Sequence, residues 1–368
     1  MYLDHNASTP CDERILDEMR TLHTHVFANS GSIHQFGRQA ARALQTARDR
    51  CAASLNREPD EVVFTSGATE GIQLCLESMP TEFVQGVKIF ASPFEHRAVQ
   101  NCLRRLVHRG IDVRMLECRA GILDVAQFSE PGIYVIQAAN SETGIIQPIQ
   151  QLSDRIHCLG GFLICDAAQG LWKLESDLYA HGPDAVILSA HKAYGPNGVG
   201  ALVLGREFMS ILKRGRLGPA QDQGVREGTV NVAGAVGMAA TIELAAAEGG
   251  AWRSRASDAR DSFEHRLSQH YSCELHFRSQ PRLPNTASVR FMGVEGDLLA
   301  LNAEVAVSFG TACSSGAPGP SATLLATGLS RTQAMETVRV SFGRDHSGHD
   351  GVRAAEALLE TTTLLTLK

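Results

Sequence analysis

No two of the nine cysteines (11, 51, 75, 102, 118, 158, 165, 273 and 313) stand at C-x-x-C spacing, and their number is odd. That argues against both a zinc knuckle and a disulfide framework. Most read instead as small buried hydrophobes. A dense Lys/Arg run is also missing: 34 Lys plus Arg stand against 40 Asp plus Glu, a formal net charge of -6. Direct binding of nucleic acid therefore lacks an electrostatic footprint. No apolar stretch approaches the roughly 20 residues needed to cross a bilayer. The opening "MYLDHNASTP" enters a strand-and-turn pattern without the basic and apolar regions of a signal peptide. These absences lead us to expect a cytoplasmic chain with no membrane partner. Internal repeats and low-complexity linkers are absent as well.

What is present is an alternation. Apolar runs and helical patterns follow one another through the first two-thirds: "EVVFTSG" then "ATEGIQLCLES", "VKIFASP" then "EHRAVQNCLRRLVHRG", "GIYVIQAAN" then "QPIQQLSDRIHCLG", and then "GFLICDAAQG". Such a rhythm predicts an α/β fold with a mostly parallel sheet and crossover helices. After the alanine-rich helix "VNVAGAVGMAATIELAAAEGG" the texture changes. A second, charged helix starts near residue 250, and the short strands "TASVRFMG", "AVSFGTACSS" and "TVRVSFGR" follow. A chain of 368 residues suits a large domain with a smaller one. The expected division is 14–245 for the large domain, with 1–13 and 246–368 forming a smaller α+β domain.

Several apolar strands of the large domain end in polar residues. In "VILSAHKAYGPNGVGALVLG", Ser189, His191 and Lys192 follow a buried strand, at the sheet edge where α/β folds bind ligands. A desolvated lysine there has a lowered pKa and can attack a carbonyl; a solvated lysine in a turn is the plainer reading. In "FTSGATEG" a strand gives way to Ser66-Gly67-Ala68-Thr69 and a helix, whose free N–H groups suit a phosphate, although an ordinary N-cap fits as well. Asp166 ends the strand "FLICD", and a buried carboxylate needs a cationic partner, which an internal ion pair also supplies. His96 in "SPFEHRAV" follows another strand end and alone fits a capping role. Pyridoxal phosphate accounts for all four together: phosphate at a helix N-terminus, Asp on the pyridine nitrogen, a ring on its face, lysine on its aldehyde.

With those motifs, and with "YLDHNASTP", "VREGTVNVAG", "GTACSSG" and "VRVSFGR", the chain resembles, almost end to end, the group I cysteine desulfurases of pyridoxal-phosphate fold type I, within the aminotransferase class V superfamily. The resemblance implies a seven-stranded sheet in the large domain and pyridoxal 5'-phosphate as cofactor. It assigns the phosphate to Ala68, Thr69, Ser189 and His191, with Thr229 reaching across a homodimer. Asp166 pairs with the ring nitrogen, Gln169 with the phenolic oxygen, and His96 stacks on the ring and assists proton transfer. Lys192 is the cofactor lysine, and Asn29 and Arg339 hold the substrate carboxylate. Cys313 lies in "VSFGTACSSGAPGPS", a Gly/Ser/Pro-rich segment that favours a mobile loop. The implied activity converts L-cysteine to L-alanine with a persulfide on Cys313, for a sulfur-acceptor protein in iron–sulfur assembly, tRNA thiolation or DNA phosphorothioation.

The chain departs from that family where it reads Asn140-Ser141-Glu142-Thr143-Gly144. The family has a second asparagine at the position of Ser141, in contact with cofactor and substrate. A run of three glycines is also missing from "GRLGPAQDQGVREG", and no long acceptor-docking extension is expected after the last helix. Two other readings stay open: a lyase acting on selenocysteine or another β-substituted amino acid, and a weakly active scaffold subunit of a sulfur-transfer complex.

Overall fold

The computed structural model describes residues 1–175, 177–214, 222–309 and 319–367, and every statement below refers to these. Nine strands belong to the first two-thirds: β1 (Val62–Thr65), β2 (Ile89–Ala91), β3 (Val113–Met115), the small hairpin β4 (Cys118–Arg119) and β5 (Ile122–Leu123), then β6 (Ile133–Gln137), β7 (Phe162–Asp166), β8 (Ala185–Ser189) and β9 (Gly200–Leu204). Seven of them form one sheet in the order β1-β9-β8-β7-β6-β2-β3. The pairs β3/β2, β2/β6, β6/β7 and β7/β8 are parallel, while β9 runs antiparallel to both neighbours. A mostly parallel seven-stranded sheet was the expectation, and it is what the chain forms.

The strands are apolar on both faces because both faces are covered. Side chains alternate between two cores. Tyr134, Ile136, Val186 and Leu188 pack into one, with the helix Gln35–Leu55 and part of the helix Val232–Leu267. Ile133, Val135 and Ile187 pack into the other, with the helices Ala68–Glu77 and Arg97–His108.

The C-terminal third adds a four-stranded antiparallel sheet from β10 (Cys273–Leu275), β11 (Thr286–Phe291), β12 (Ser308–Phe309) and β13 (Thr337–Ser341), in the order β10-β11-β13-β12. The helix Gly348–Thr366 packs on its core through Ala354, Ala355 and Leu358. The N-terminal residues join this sheet: Leu3 belongs to its core, and Asp4 bridges to Ser341.

One expectation is corrected. The alanine-rich and charged segments are not two helices but a single one of 36 residues, Val232–Leu267, running through Gly249 and Gly250. Its first half is buried in the large-sheet core, and Ala259, Phe263 and Leu267 are buried in the small-sheet core. Packing at both ends outweighs the two glycines, each costing about 1 kcal/mol of helix propensity. Against the expectation that no apolar stretch is long enough to cross a bilayer, this helix is so by length and composition, but most of its apolar window is buried inside the protein.

Candidate active site

Four strand ends and one turn meet around a cavity of about 610 Å3. At the end of β1, Gly67 holds a φ of +148°, a conformation that a side chain would strain, so the step into the helix Ala68–Glu77 needs glycine there. Ala68 and Thr69, in the first helical turn, line the cavity. That end of the helix carries N–H groups with no intrahelical partner and a positive dipole. Beside it, Glu70 accepts from the Ser66 amide at 2.5 Å and pairs with Arg226 Nε at 2.7 Å.

Past β2, His96 caps the helix Arg97–His108, its Nδ1 accepting from the Ala98 amide at 3.2 Å. The capping reading and the cavity reading are both realised, since the partly buried ring also lines the cavity. Burial first, and then the charge of Lys192, lower the His96 pKa, while Asp166 acts against them. Lowering favours a neutral imidazole. Beside it the Glu95 carboxyl is 1% exposed. Its Oε1 accepts from the Gln137 amide at 2.9 Å, and its Oε2 has no partner. Burial, with the Asp166 charge adding to it, pushes the Glu95 carboxyl well above the usual carboxylate range.

Asp166 closes β7, 6% exposed, and its Oδ1 accepts from the Ala168 amide at 3.0 Å. After β8 the chain makes a single turn at Ala190–Lys192 and returns as β9, so Ser189, His191 and Lys192 sit on the cavity wall next to Asp166. Burial, then the charges of Lys192 and Lys173, bring His191 down to about 4. The His191 carbonyl accepts from Thr9 Oγ1 at 2.9 Å, which holds the N-terminal segment against the turn.

The opposite wall comes from the C-terminal sheet and the N-terminus. Arg339 in β13, 6% exposed, donates from Nη1 to the Ser141 carbonyl at 3.0 Å and from Nη2 to Asp4 Oδ1 at 2.5 Å. Its Nε is buried without a partner, in a side chain that lines the cavity, which leaves a donor for an anionic ligand. Asn6, 1% exposed, joins both walls: its Nδ2 donates to the Ser141 carbonyl at 3.1 Å and to Thr286 Oγ1 at 2.8 Å, and its carbonyl accepts from Gln169 Nε2 at 2.9 Å.

The structure therefore gathers Ala68, Thr69, His96, Ser141, Asp166, Gln169, Ser189, His191, Lys192 and Arg339 around one cavity. Asn29 and Thr229 are not part of it. Both are exposed, and Asn29 Oδ1 is engaged by the Gly31 amide at 2.8 Å. Cys313 lies outside the described residues. Sequence reasoning passed over Asp4, Asn6, Glu95 and Lys173. The position of Glu95 beside His96 and the four-residue spacing of Lys173 from Gln169 were the available signals. The donor set fits pyridoxal phosphate: a helix N-terminus and two further polar groups for phosphate, a carboxylate for a protonated ring nitrogen, an amine, and an unpartnered buried guanidinium N–H for a carboxylate.

Comparison with known proteins points the same way. The aminotransferase class-V family model matches residues 1–352. A cysteine desulfurase from Frankia sp. (strain EuIK1) is 33% identical over 384 residues, covering 99% of this chain and 91% of the relative. Among solved structures, a NifS-like protein superposes with a TM-score of 0.88 at 26% identity and complete coverage of both chains. SspA in complex with cysteine superposes with a TM-score of 0.77 at 28% identity, over 93% of this chain and 98% of that one.

Proposed function

This chain belongs to the aminotransferase class-V family, among its cysteine desulfurases, and from that premise we propose that it converts L-cysteine to L-alanine and retains the sulfur as a persulfide on Cys313. The observation that carries the reading is the meeting of Lys192, Asp166, His96, the helix start at Ala68 and, from the opposite wall, Arg339 around one cavity.

We assign pyridoxal 5'-phosphate to this cavity. Ala68, Thr69, Ser189 and His191 hold its phosphate, helped by Thr229 of a second copy in a homodimer. Asp166 faces the ring nitrogen, Gln169 the phenolic oxygen and His96 the ring face, and Ser141 lies at the edge between cofactor and substrate. When bound, the cofactor supplies an electron sink for the pair released as the substrate α-proton leaves. Arg339 orients the substrate carboxylate; Asn29, exposed and away from the cavity, takes no part in this chain's own site. Lys192 removes the α-proton, with His96 assisting, because a neutral base is needed and both groups stand in a partly desolvated site. The Cys313 thiolate attacks the substrate sulfur. An S–S bond forms, the carbon–sulfur bond breaks, and the electron pair stays on the carbon fragment, which is protonated and leaves as L-alanine. The sulfur is then handed to an acceptor protein. All eight described cysteines are free thiols, which suits a reducing compartment such as the cytoplasm.

The test is to incubate purified protein with L-cysteine and measure alanine, sulfide and protein-bound persulfide. Cys313→Ser is expected to keep the cofactor and form no persulfide. Normal turnover of L-cysteine by that variant overturns the assignment of Cys313 and favours a lyase.

A further inference from the structure

Lys173 is 2% exposed, yet it does not line the cavity. A buried lysine that touches no ligand calls for a partner, and the one it has is Gln169 Oε1, to which its Nζ donates. Consecutive tight turns after β7 bring the two together: Gly170 N bonds Ala167 O at 2.7 Å, and Lys173 N and Leu174 N both bond Gly170 O, at 3.0 and 2.8 Å. Residues 169 and 173 therefore lie one turn apart on the same side.

The Gln169 amide is held at both ends. A carbonyl oxygen can only accept, so the Asn6 carbonyl, 2.9 Å away, must face Nε2. The Lys173 amine supplies the donor that Oε1 needs. With Oε1 occupied and one Nε2 hydrogen given to Asn6, what remains of the amide, on a side chain that lines the cavity, is a single N–H donor. Burial, then the charges of Lys192 and Arg339, hold the Lys173 amine well below its usual range. That fits a buried group offering a hydrogen bond and no salt bridge.

We propose that Lys173 is a positioning residue that locks the Gln169 amide with an N–H toward the cavity, so that the phenolic oxygen of the cofactor meets a donor and never a carbonyl. This rests on the cofactor role of Gln169 proposed above. Without Lys173, Oε1 is a buried acceptor lacking a donor and the Asn6 carbonyl alone holds the amide, which tilts toward another donor and draws its free N–H off the cavity.

The experiment titrates apo-protein with pyridoxal phosphate, following the visible band and its pH dependence, for wild type, Lys173→Met, Gln169→Leu and the double variant. Replacing both partners by apolar groups of similar shape is close to neutral for folding, so the double variant keeps the comparison valid if one single variant unfolds. Each single variant is expected to weaken cofactor binding about tenfold, the effect of one lost hydrogen bond to a charged acceptor. Each is also expected to raise the pH at which the visible band titrates by about one unit, because a donor favours the phenolate. At neutral pH, where His191 is uncharged, the double variant should match Gln169→Leu alone, because Lys173 then acts through that side chain. Wild-type affinity and band titration in Lys173→Met, or effects that multiply in the double variant, overturn the proposal. Failure of wild-type protein to take up pyridoxal phosphate instead overturns the cofactor reading beneath it.

Discussion

Arg339 Nη2 donates to Asp4 Oδ1 at 2.5 Å across 335 residues of sequence, and Arg339 Nη1 donates to the Ser141 carbonyl at 3.0 Å. Two of the three guanidinium nitrogens are thus held by the protein, and the Nε donor is left. Asp4 thereby sets which edge of the guanidinium is free for a substrate carboxylate. Asp4→Ala is expected to raise KM for L-cysteine about two- to tenfold, the range of one net hydrogen bond, with kcat within about twofold. Steady-state alanine production checks this. A fall in kcat at constant KM would place Asp4 in the chemistry instead.

Ser141 lies on the cavity wall with its carbonyl pinned by both Arg339 and Asn6, so its backbone position does not depend on its side chain. An asparagine there offers two N–H donors on a longer reach, whereas serine offers one. Ser141→Asn is expected to raise kcat/KM for L-cysteine about tenfold, through one recovered charge-assisted bond partly offset by a bridging water. Lowered activity would mean that the serine is fitted to this enzyme's own substrate or to activation by a partner.

Asp166 ends β7 with one oxygen bound to the Ala168 amide, and a neutral amide in its place no longer favours a protonated ring nitrogen. Asp166→Asn is expected to retain the cofactor by its phosphate contacts, read as visible absorbance. Its alanine production should fall about a hundredfold or more, the scale of assisted proton transfer. Retained turnover would reduce Asp166 to a structural anion.

Glu95 carries its proton to a higher pH in the folded chain than in the unfolded one, because burial and then Asp166 oppose its charge. In the window between the two pKa values the folded state binds more protons, so this group's contribution to stability is present at low pH and is lost as pH rises. Glu95→Gln keeps the acceptor for the Gln137 amide and cannot ionise. Its unfolding temperature is expected to fall less than that of wild type between roughly pH 5 and 8. Parallel curves in a thermal melt series would show that Glu95 ionises in the folded chain as it does in the unfolded one.

The sheet and the polar strand ends could be read from the sequence because their causes are local. Apolar runs such as Val186-Ile187-Leu188 are long enough to be strands, and in a parallel sheet the C-terminal ends of the strands and the turns after them fall on the ligand-binding edge, so Ser189, Asp166 and His96 could be placed there from the sequence. The continuity of Val232–Leu267 was not legible, because two glycines and a change of composition mark a break that only burial in two separate cores overrides.

Amino-acid order alone determined that the side chains at the strand ends, such as Asp166, Ser189 and Lys192, reach the cavity edge. What tertiary structure decided is how those side chains are held. Asp4 meets Arg339 because the N-terminus joins the last sheet, and Asn6 ties Ser141 to Thr286. Partners separated by more than a hundred residues leave no periodic trace in sequence, since their meeting depends on where each strand enters the sheet and not on neighbouring residues.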